Sequence, residues 1–380
     1  MMNEIQLKEN ILFALQEQGF KINPHIRVHE ENEAHHKNLY RDIQSTARIE
    51  KLCEHKKFLL SILKKVSKYS IEGSKINPEK IQLEIREVHV DSLEESIFRW
   101  WNLMWWSIPY QRAYGRQMRF ILWDTFHNAP FGLIGLQSPV LKMAVRDKAL
   151  NIPKKELDVW INKSMHAQRL GALPPYNELI GGKLVALSLV SNEIKYLYQK
   201  KYNDYKTIIK GRVIEPNLLF ITTTSAFGKS SIYNRLNYNN QRIAESLGYT
   251  KGAGSFHIPE ELYQEILKFL SQKNIDVSRS FGYGPSKRIH LLSNAFRLLG
   301  LPKFQYHGIK REFYLFSLVS NLQGIIQRNE YPEYIDRPFK ELVCYWKQRW
   351  ALRRSETTNQ WKKFLPDKFF EEQQKILEDL

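Results

Sequence analysis

The sequence of 380 residues is poor in features on which several classes of protein depend. Its two cysteines, Cys53 and Cys344, are too few for a four-sulfur zinc site, and their separation matches no metal-binding spacing. No apolar run approaches the roughly 18 residues needed to cross a bilayer, and segment 1–10 lacks the apolar core of a signal peptide. We therefore expect a soluble cytoplasmic protein with reduced thiols and no membrane partner.

Acidic residues are also in deficit, with 40 Asp and Glu against 57 Lys and Arg, so the formal net charge is +17. Such a balance favours polyanionic partners, and we expect nucleic acid, most simply DNA. The alternative is a basic but inert surface, because no lysine-rich tail concentrates the charge. Hydrophobic residues make up 43% of the chain and aromatic residues 13%, which favours a folded protein over a disordered one.

Changes of pattern divide the chain into four predicted parts. They are a helical N-terminal lobe over 1–78, an α/β core over 79–260, a C-terminal α/β part over 261–332 and a basic, aromatic helical tail over 333–380. The core begins with apolar and polar residues that alternate over 81–90, which predicts a half-buried strand. A helix follows from Asp91 and carries Trp100, Trp101, Trp105 and Trp106. We expect this helix to be buried on two sides rather than to form a platform for stacked bases.

The remaining pattern predicts mostly strands in the core and helices near the C-terminus. Strands are predicted over 117–124, 131–136, 157–165, 217–224 and 311–316, and helices over 183–191, 259–273 and 289–299, with a short helix from Ile232.

Between the predicted strand at 157–165 and the helix at 183–191 lies a segment rich in glycine and proline. It contains Gly171, the Pro174-Pro175 pair and the Gly181-Gly182 pair. A glycine-rich turn that opens a helix leaves unpaired N–H groups, which suit a phosphate or pyrophosphate. The alternative is a tight connection that binds no ligand.

The sequence over 168–184, which reads QRLGALPPYNELIGGKL, resembles the DUF4338 family. Further phrases resemble the same family in the same order, at 100–106, 115–120, 130–139, 231–235, 248–257 and 307–311. This family includes a component of the Druantia antiphage system and domains found near transposases. The resemblance implies a role in bacterial defence against phage, with other proteins of the same system as partners.

The predicted order of elements is also similar to the Gcn5-related acetyltransferase (GNAT) fold, an α/β (α+β) fold with a mixed twisted sheet. In that fold the loop after the fourth strand holds the pyrophosphate of coenzyme A. The resemblance places cofactor-binding residues at Gln168, Arg169, Gly171, Gly181 and Gly182. Leucine at the signature position 173, followed by two prolines, departs from the family pattern. A lost or altered cofactor site is one interpretation, and an active acyltransferase that uses acyl-CoA is the other.

Three residues are candidates for catalysis. In the GNAT fold a tyrosine on the short final helix protonates the departing thiolate, and the resemblance implies this role for Tyr233. The family pattern continues with Gly-Phe, where this chain has Asn237-Tyr238, and a tyrosine that caps the core is the alternative. His257 and His166 lie beside the glycine-rich segments, where a histidine can act as a base.

Candidate nucleic-acid-binding residues are spread over the second half of the chain. Cations and aromatics interleave in the tail, where we expect Arg349, Trp350, Arg353 and Arg354 to contact nucleic acid together with Lys229, Arg235 and Lys251. The alternative packs the tail tryptophans inward and leaves a solvated basic rim. Gly228-Lys229-Ser230 resembles part of a P-loop, but Thr223 occupies a required glycine position. A nuclease is a less favoured alternative.

No metal site is expected. His29, Glu33, His35 and His36 form a small acidic and histidine-rich group, which we interpret as a polar helical surface.

Overall fold

A computed structural model describes residues 3–23, 25–27, 33–106, 108–207, 210–278 and 286–380, the side chains at 27 and 33–37 excepted. His29 and the side chains of Glu33, His35 and His36 therefore lie outside the described residues. The helices are α1 (Glu4–Glu17), α2 (Glu33–Ile43), α3 (Ser45–Ser67), α4 (Leu93–Met104), α5 (Ala144–Ala149), α6 (Leu157–Asn162), α7 (Gly181–Leu187), α8 (Asn192–Tyr202), α9 (Ser231–Asn234), α10 (Glu260–Gln272), α11 (Lys287–Leu298), α12 (Leu322–Arg328), α13 (Phe339–Trp346), α14 (Leu352–Thr357) and α15 (Pro366–Asp379). The strands are β1 (Lys21–Ile22), β2 (Ile26–Arg27), β3 (Leu83–Glu87), β4 (Gln117–Asp124), β5 (Ala129–Gln137), β6 (Ser164–Ala172), β7 (Phe220–Thr224), β8 (Asn237–Tyr238), β9 (Gln241–Arg242), β10 (Glu245–Tyr249) and β11 (Glu312–Ser317).

A seven-stranded sheet in the order β10-β11-β7-β6-β5-β4-β3 forms the centre of the protein. Neighbouring strands are antiparallel except β6 and β7, which are parallel. The chain passes from β6 to β7 through α7 and α8, and a parallel pair requires such a crossover because the chain must return to the end at which β6 began. The predicted mixed α/β class is confirmed.

Apolar side chains cover both faces of this sheet. On one face α7, α8 and α13 pack against strand residues, with Tyr198 and Trp346 fully buried. On the other face α4 packs against β4 and β5, and α3 and α15 cover α4. Phe370 of α15 lies 4.9 Å from Trp100 of α4 between ring centroids, so the end of the chain completes a core that begins near its start.

The tryptophan-rich helix α4 is buried as predicted. Its start is capped by Ser92, whose hydroxyl accepts a hydrogen bond from the backbone N–H of Glu95 at 3.1 Å. Trp100 and Trp101 are fully buried, and the indole of Trp105 donates to the carbonyl of Ala172 at 3.2 Å. These contacts use the indoles for packing and not as a stacking platform.

The prediction of a strand over 157–165 was wrong. Residues Leu157–Asn162 form α6, and β6 begins only at Ser164. Leu157, Trp160 and Ile161 have helical spacing, which a short apolar run of this kind does not distinguish from a strand. Residues 168–171 therefore lie inside a strand, whereas the sequence predicted a loop there.

The predicted division into four parts stays a prediction. The sheet draws strands from both 79–260 and 261–332, because β11 lies between β7 and β10. Within the described ranges, none of the helices combines the length and the apolar character that crossing a bilayer requires.

Candidate functional site

The parallel strands β6 and β7 separate near the middle of the sheet. Their paired residues run from Ser164 opposite Phe220 to Ala167 opposite Thr223, and β6 then continues to Ala172 paired with β5 and no longer with β7. At the last pair, the hydroxyl of Thr223 donates to the carbonyl of Ala167 at 2.8 Å. A side chain thus satisfies a main-chain acceptor at the point where the strands separate.

Tyr233, the predicted general acid, lies on α9 directly over this point. Its side chain is buried, its ring centroid is 5.0 Å from that of Tyr314, and its hydroxyl lies near the side chain of Thr223. Burial raises the pKa of Tyr233 above its ordinary value. The ring contacts with Tyr314 and Phe316 are those of a packed tyrosine, and the catalytic role stays a prediction.

The glycines of the predicted cofactor segment lie close to other parts of this chain. A methyl group at Gly171 would lie 3.3 Å from the ring of Trp106, and one at Gly181 would lie 2.7 Å from the carbonyl oxygen of Tyr176. A methyl group at Gly182 would lie 3.1 Å from a side chain of α9. Each glycine therefore allows a close approach within the protein. Their role in binding a cofactor stays a prediction.

The turn that opens α7 has a strained backbone. Ile180, which precedes the glycine pair, has a φ of 59°, a left-handed conformation that is unfavourable for a β-branched residue. The indole of Trp346 on α13 donates to the carbonyl of Ile180 at 3.1 Å. The tail helix thus helps to hold this turn in place.

Arg169, predicted to bind a cofactor, is buried and donates its hydrogen bonds to uncharged acceptors. It donates to the side-chain oxygen of Asn102, to the carbonyl of Gln168 at 3.2 Å and to the carbonyl of Pro109 at 3.3 Å. Burial lowers the pKa of Arg169 to about 10, and the charge of Arg311 acts in the same direction. An arginine with only neutral partners retains its full charge inside the protein.

The two candidate bases lie apart from Tyr233. His257 is fully buried in the cluster formed by α1, α10 and α11, where its Nε2 contacts the carbonyl of Phe304 at 2.9 Å. His166 lies on β6 with its Nδ1 3.0 Å from the hydroxyl of Thr222. Burial lowers the pKa of each histidine to about 4, so both are neutral near pH 7. Tyr233 belongs to a different core cluster from His257.

The structure places three of the predicted nucleic-acid residues together. The ammonium of Lys183 contacts the carbonyl of Arg235 at 3.2 Å and lies 4.3 Å from the ring centroid of Trp350. Burial lowers the pKa of Lys183, and the charges of Arg349 and Arg235 act in the same direction. We call Lys183, Arg235, Arg349 and Trp350 the Lys183 patch. The sequence analysis missed Lys183 because a lysine at the start of a helix is no signal by itself.

Comparison with known proteins establishes the family. Residues 34–328 match the family described as Druantia protein DruA. The chain belongs to the DruA family. A relative from Escherichia coli (strain UMEA 4076-1), also described as Druantia protein DruA, is 33% identical over 331 residues, which are 86% of this chain and 81% of the relative. The predicted family resemblance is confirmed, and no solved structure matches the chain.

The DruA family match contains one half of the Lys183 patch and not the other. Lys183 and Arg235 lie within 34–328, whereas Arg349 and Trp350 follow it in the tail. The structure joins the two halves through the contact of Lys183 with the ring of Trp350. The tail therefore adds its cation and its indole to a surface that the family region begins.

The other predicted nucleic-acid residues lie outside this patch. Lys229, Lys251 and Arg353 are exposed, and no described contact joins them to Lys183. Arg354 is half-buried and donates to the carbonyl of Glu178 at 3.4 Å. Two tail tryptophans, at 346 and 361, are buried, as the inward-packing interpretation expected.

Proposed function

We propose that this member of the DruA family is a cytoplasmic component of a Druantia antiphage system, acts with other proteins of that system and engages DNA through the Lys183 patch. Membership of the family supports the defence role. The patch is the observation that supports the DNA role, because it joins three cations to an aromatic ring on a chain of net charge +17.

The patch suits contact with a phosphate backbone. Lys183 and Arg349 repel one another, as the lowered pKa of Lys183 indicates, and a phosphate between them relieves this repulsion. The ring of Trp350 fixes the position of the Lys183 ammonium through a cation–π contact. Among the described residues, no carboxylate contributes to the pKa of Lys183, so no internal counterion competes with a phosphate.

We also infer that the core is related to the GNAT fold. The strand order, with a single parallel pair that separates part-way along its length, supports this inference. The contacts of Gly171 with Trp106 and of Gly181 with Tyr176 favour packing over a site for coenzyme A, as does the burial of Tyr233. We therefore propose a binding role rather than acyl transfer.

The DNA role is tested by the salt dependence of binding to a fluorescent duplex. Each lost phosphate contact reduces the slope of log affinity against log salt by about 1. Arg349→Gln and Lys183→Gln should each show this reduction. Arg297→Gln is the matched control, because Arg297 is exposed on α11 and loses the same charge away from the patch.

Two results would refute the proposal. Absence of binding by the wild type at low salt would refute DNA engagement altogether. Equal losses in the patch variants and in the Arg297 control would show that binding is spread over the whole basic surface. In cells that carry the complete defence system, we expect the double variant Lys183→Gln and Arg349→Gln to lose protection against phage. Full protection by this variant, expressed as soluble protein, would show that defence does not require DNA binding through the patch.

A further inference from the structure

Two arginines contact the C-terminal end of α4, away from the Lys183 patch. Arg169 of β6 binds the side chain of Asn102, and Arg48 of α3 donates to the carbonyl of Met104 at 2.9 Å. Both acceptors belong to the last turn of α4, and the main-chain carbonyl of Met104 carries partial negative charge there. This helix end therefore brings two guanidinium groups from distant parts of the chain close together.

A third arginine, Arg311, lies beside both of these residues in the chain of contacts. Its Nη2 donates to the side-chain oxygen of Gln44 at 2.8 Å, and Gln44 lies one helical turn before Arg48. On its other side, Arg311 is close enough to Arg169 for its charge to lower the pKa of Arg169. We call Arg48, Arg169 and Arg311 the arginine ring.

No carboxylate of the described residues balances this ring. Among the described residues, none of the three arginines forms an ion pair with a carboxylate, and no carboxylate contributes to the pKa of any of them. The Nε of Arg48 is buried without a hydrogen-bond partner in the described structure. Buried positive charge without an opposite charge is unfavourable, and the charge of Arg311 also acts against that of Arg169.

We infer that the arginine ring is a binding site for a phosphate group. Guanidinium groups bind phosphate through paired hydrogen bonds and keep their charge when partly desolvated. Arg48 and Arg311 are half-buried, so the ring has a side open to solvent, whereas Arg169 forms its interior wall. The unpaired Nε of Arg48 is a donor that an oxyanion satisfies.

The test measures binding of inorganic phosphate and of pyrophosphate to the purified full chain by calorimetry and by thermal shift. A ligand that binds only the native state raises the melting temperature, and we expect this for the wild type. In Arg311→Gln, which keeps a polar group near Gln44, the loss of one charged partner should weaken binding by about 10- to 100-fold. Arg297→Gln should bind as the wild type does. Arg48→Gln serves as a second variant if Arg311→Gln does not fold.

The stability of the free protein distinguishes a binding site from structural arginines. If the ring holds unbalanced charge, Arg311→Gln without ligand should melt at or above the wild-type temperature, because repulsion is relieved. A lower melting temperature together with unchanged phosphate binding would assign a purely structural role and overturn the inference.

Comparison with a DNA oligonucleotide identifies the source of the phosphate. Loss of oligonucleotide binding in Arg311→Gln indicates a backbone phosphodiester, and loss of phosphate or pyrophosphate binding alone indicates a small phosphorylated ligand. Both outcomes support the site. If neither inorganic anion nor oligonucleotide distinguishes Arg311→Gln from Arg297→Gln, the inference fails.

Discussion

Removing the hydroxyl of Tyr233, which lies where β6 and β7 separate, distinguishes an enzyme from a binding protein. Replacing this residue by phenylalanine keeps the buried ring and its contact with Tyr314, 5.0 Å away, and removes only the hydroxyl near Thr223. A structural hydroxyl contributes to the fold, whereas a general acid contributes to a reaction. The two roles therefore predict losses in different measurements.

The expected loss of stability follows from this single hydroxyl. Removing a neutral internal hydrogen bond costs about 0.5–1.5 kcal/mol of unfolding free energy. We expect a value near the middle of this range, about 1 kcal/mol, because Thr223 keeps its bond to Ala167. Tyr233→Ala would also remove a buried ring and should cost about 3–5 kcal/mol.

Chemical denaturation of the wild type, Tyr233→Phe, Thr223→Val and the double variant measures this coupling. If the two hydroxyls bond to each other, the double variant should be more stable than the sum of the single losses predicts, by about 0.5 kcal/mol or more. Antiphage protection, measured in parallel, should remain near the wild-type level in Tyr233→Phe.

The opposite pattern would refute this reasoning. A general acid contributes roughly a hundredfold or more to a rate. Loss of protection in Tyr233→Phe at an unchanged melting temperature would therefore refute a structural role for this hydroxyl and favour the acyltransferase alternative.

Two further predictions concern the packing of the glycines and the buried histidines. Gly181→Ala should destabilise the protein by about 1–3 kcal/mol, and by more than Gly182→Ala does. The methyl group added at Gly181 meets a backbone oxygen, whereas the one added at Gly182 meets a side chain that can move. Equal melting temperatures of the two variants would contradict this prediction. His257 and His166 have native pKa values of about 4, below the unfolded value of 6.5, so the unfolded chain takes up protons first and stability falls as pH drops from 6.5 towards 4. Each should cost about 2 kcal/mol between roughly pH 7 and pH 5 in denaturation experiments, and His257→Gln should flatten the profile.

The local sequence pattern predicted an element correctly where the residues of that element alone carry a clear signal. The alternation before residue 90 predicts β3, and the capping serine at 92 with four tryptophans predicts a buried α4. Local pattern did not predict where β6 begins, because the preceding residues, among them Leu157 and Trp160, suit a helix as well as a strand. It also missed β10, an edge strand whose side chains are mostly exposed, so no apolar alternation marks it.

The sequence by itself determined the family, the α/β class and the basic charge, because these depend on composition and on the order of local patterns. It also selected Arg235, Arg349 and Trp350 as separate candidates. Only the tertiary structure decided that Lys183 joins them, and that Arg48 and Arg169 meet at the end of α4 with Arg311 linked to them through Gln44. The segments that meet in each group are separated by 52 positions or more, and no local pattern encodes such contacts. They arise when packing of the sheet and its helices brings like charges together against electrostatic repulsion.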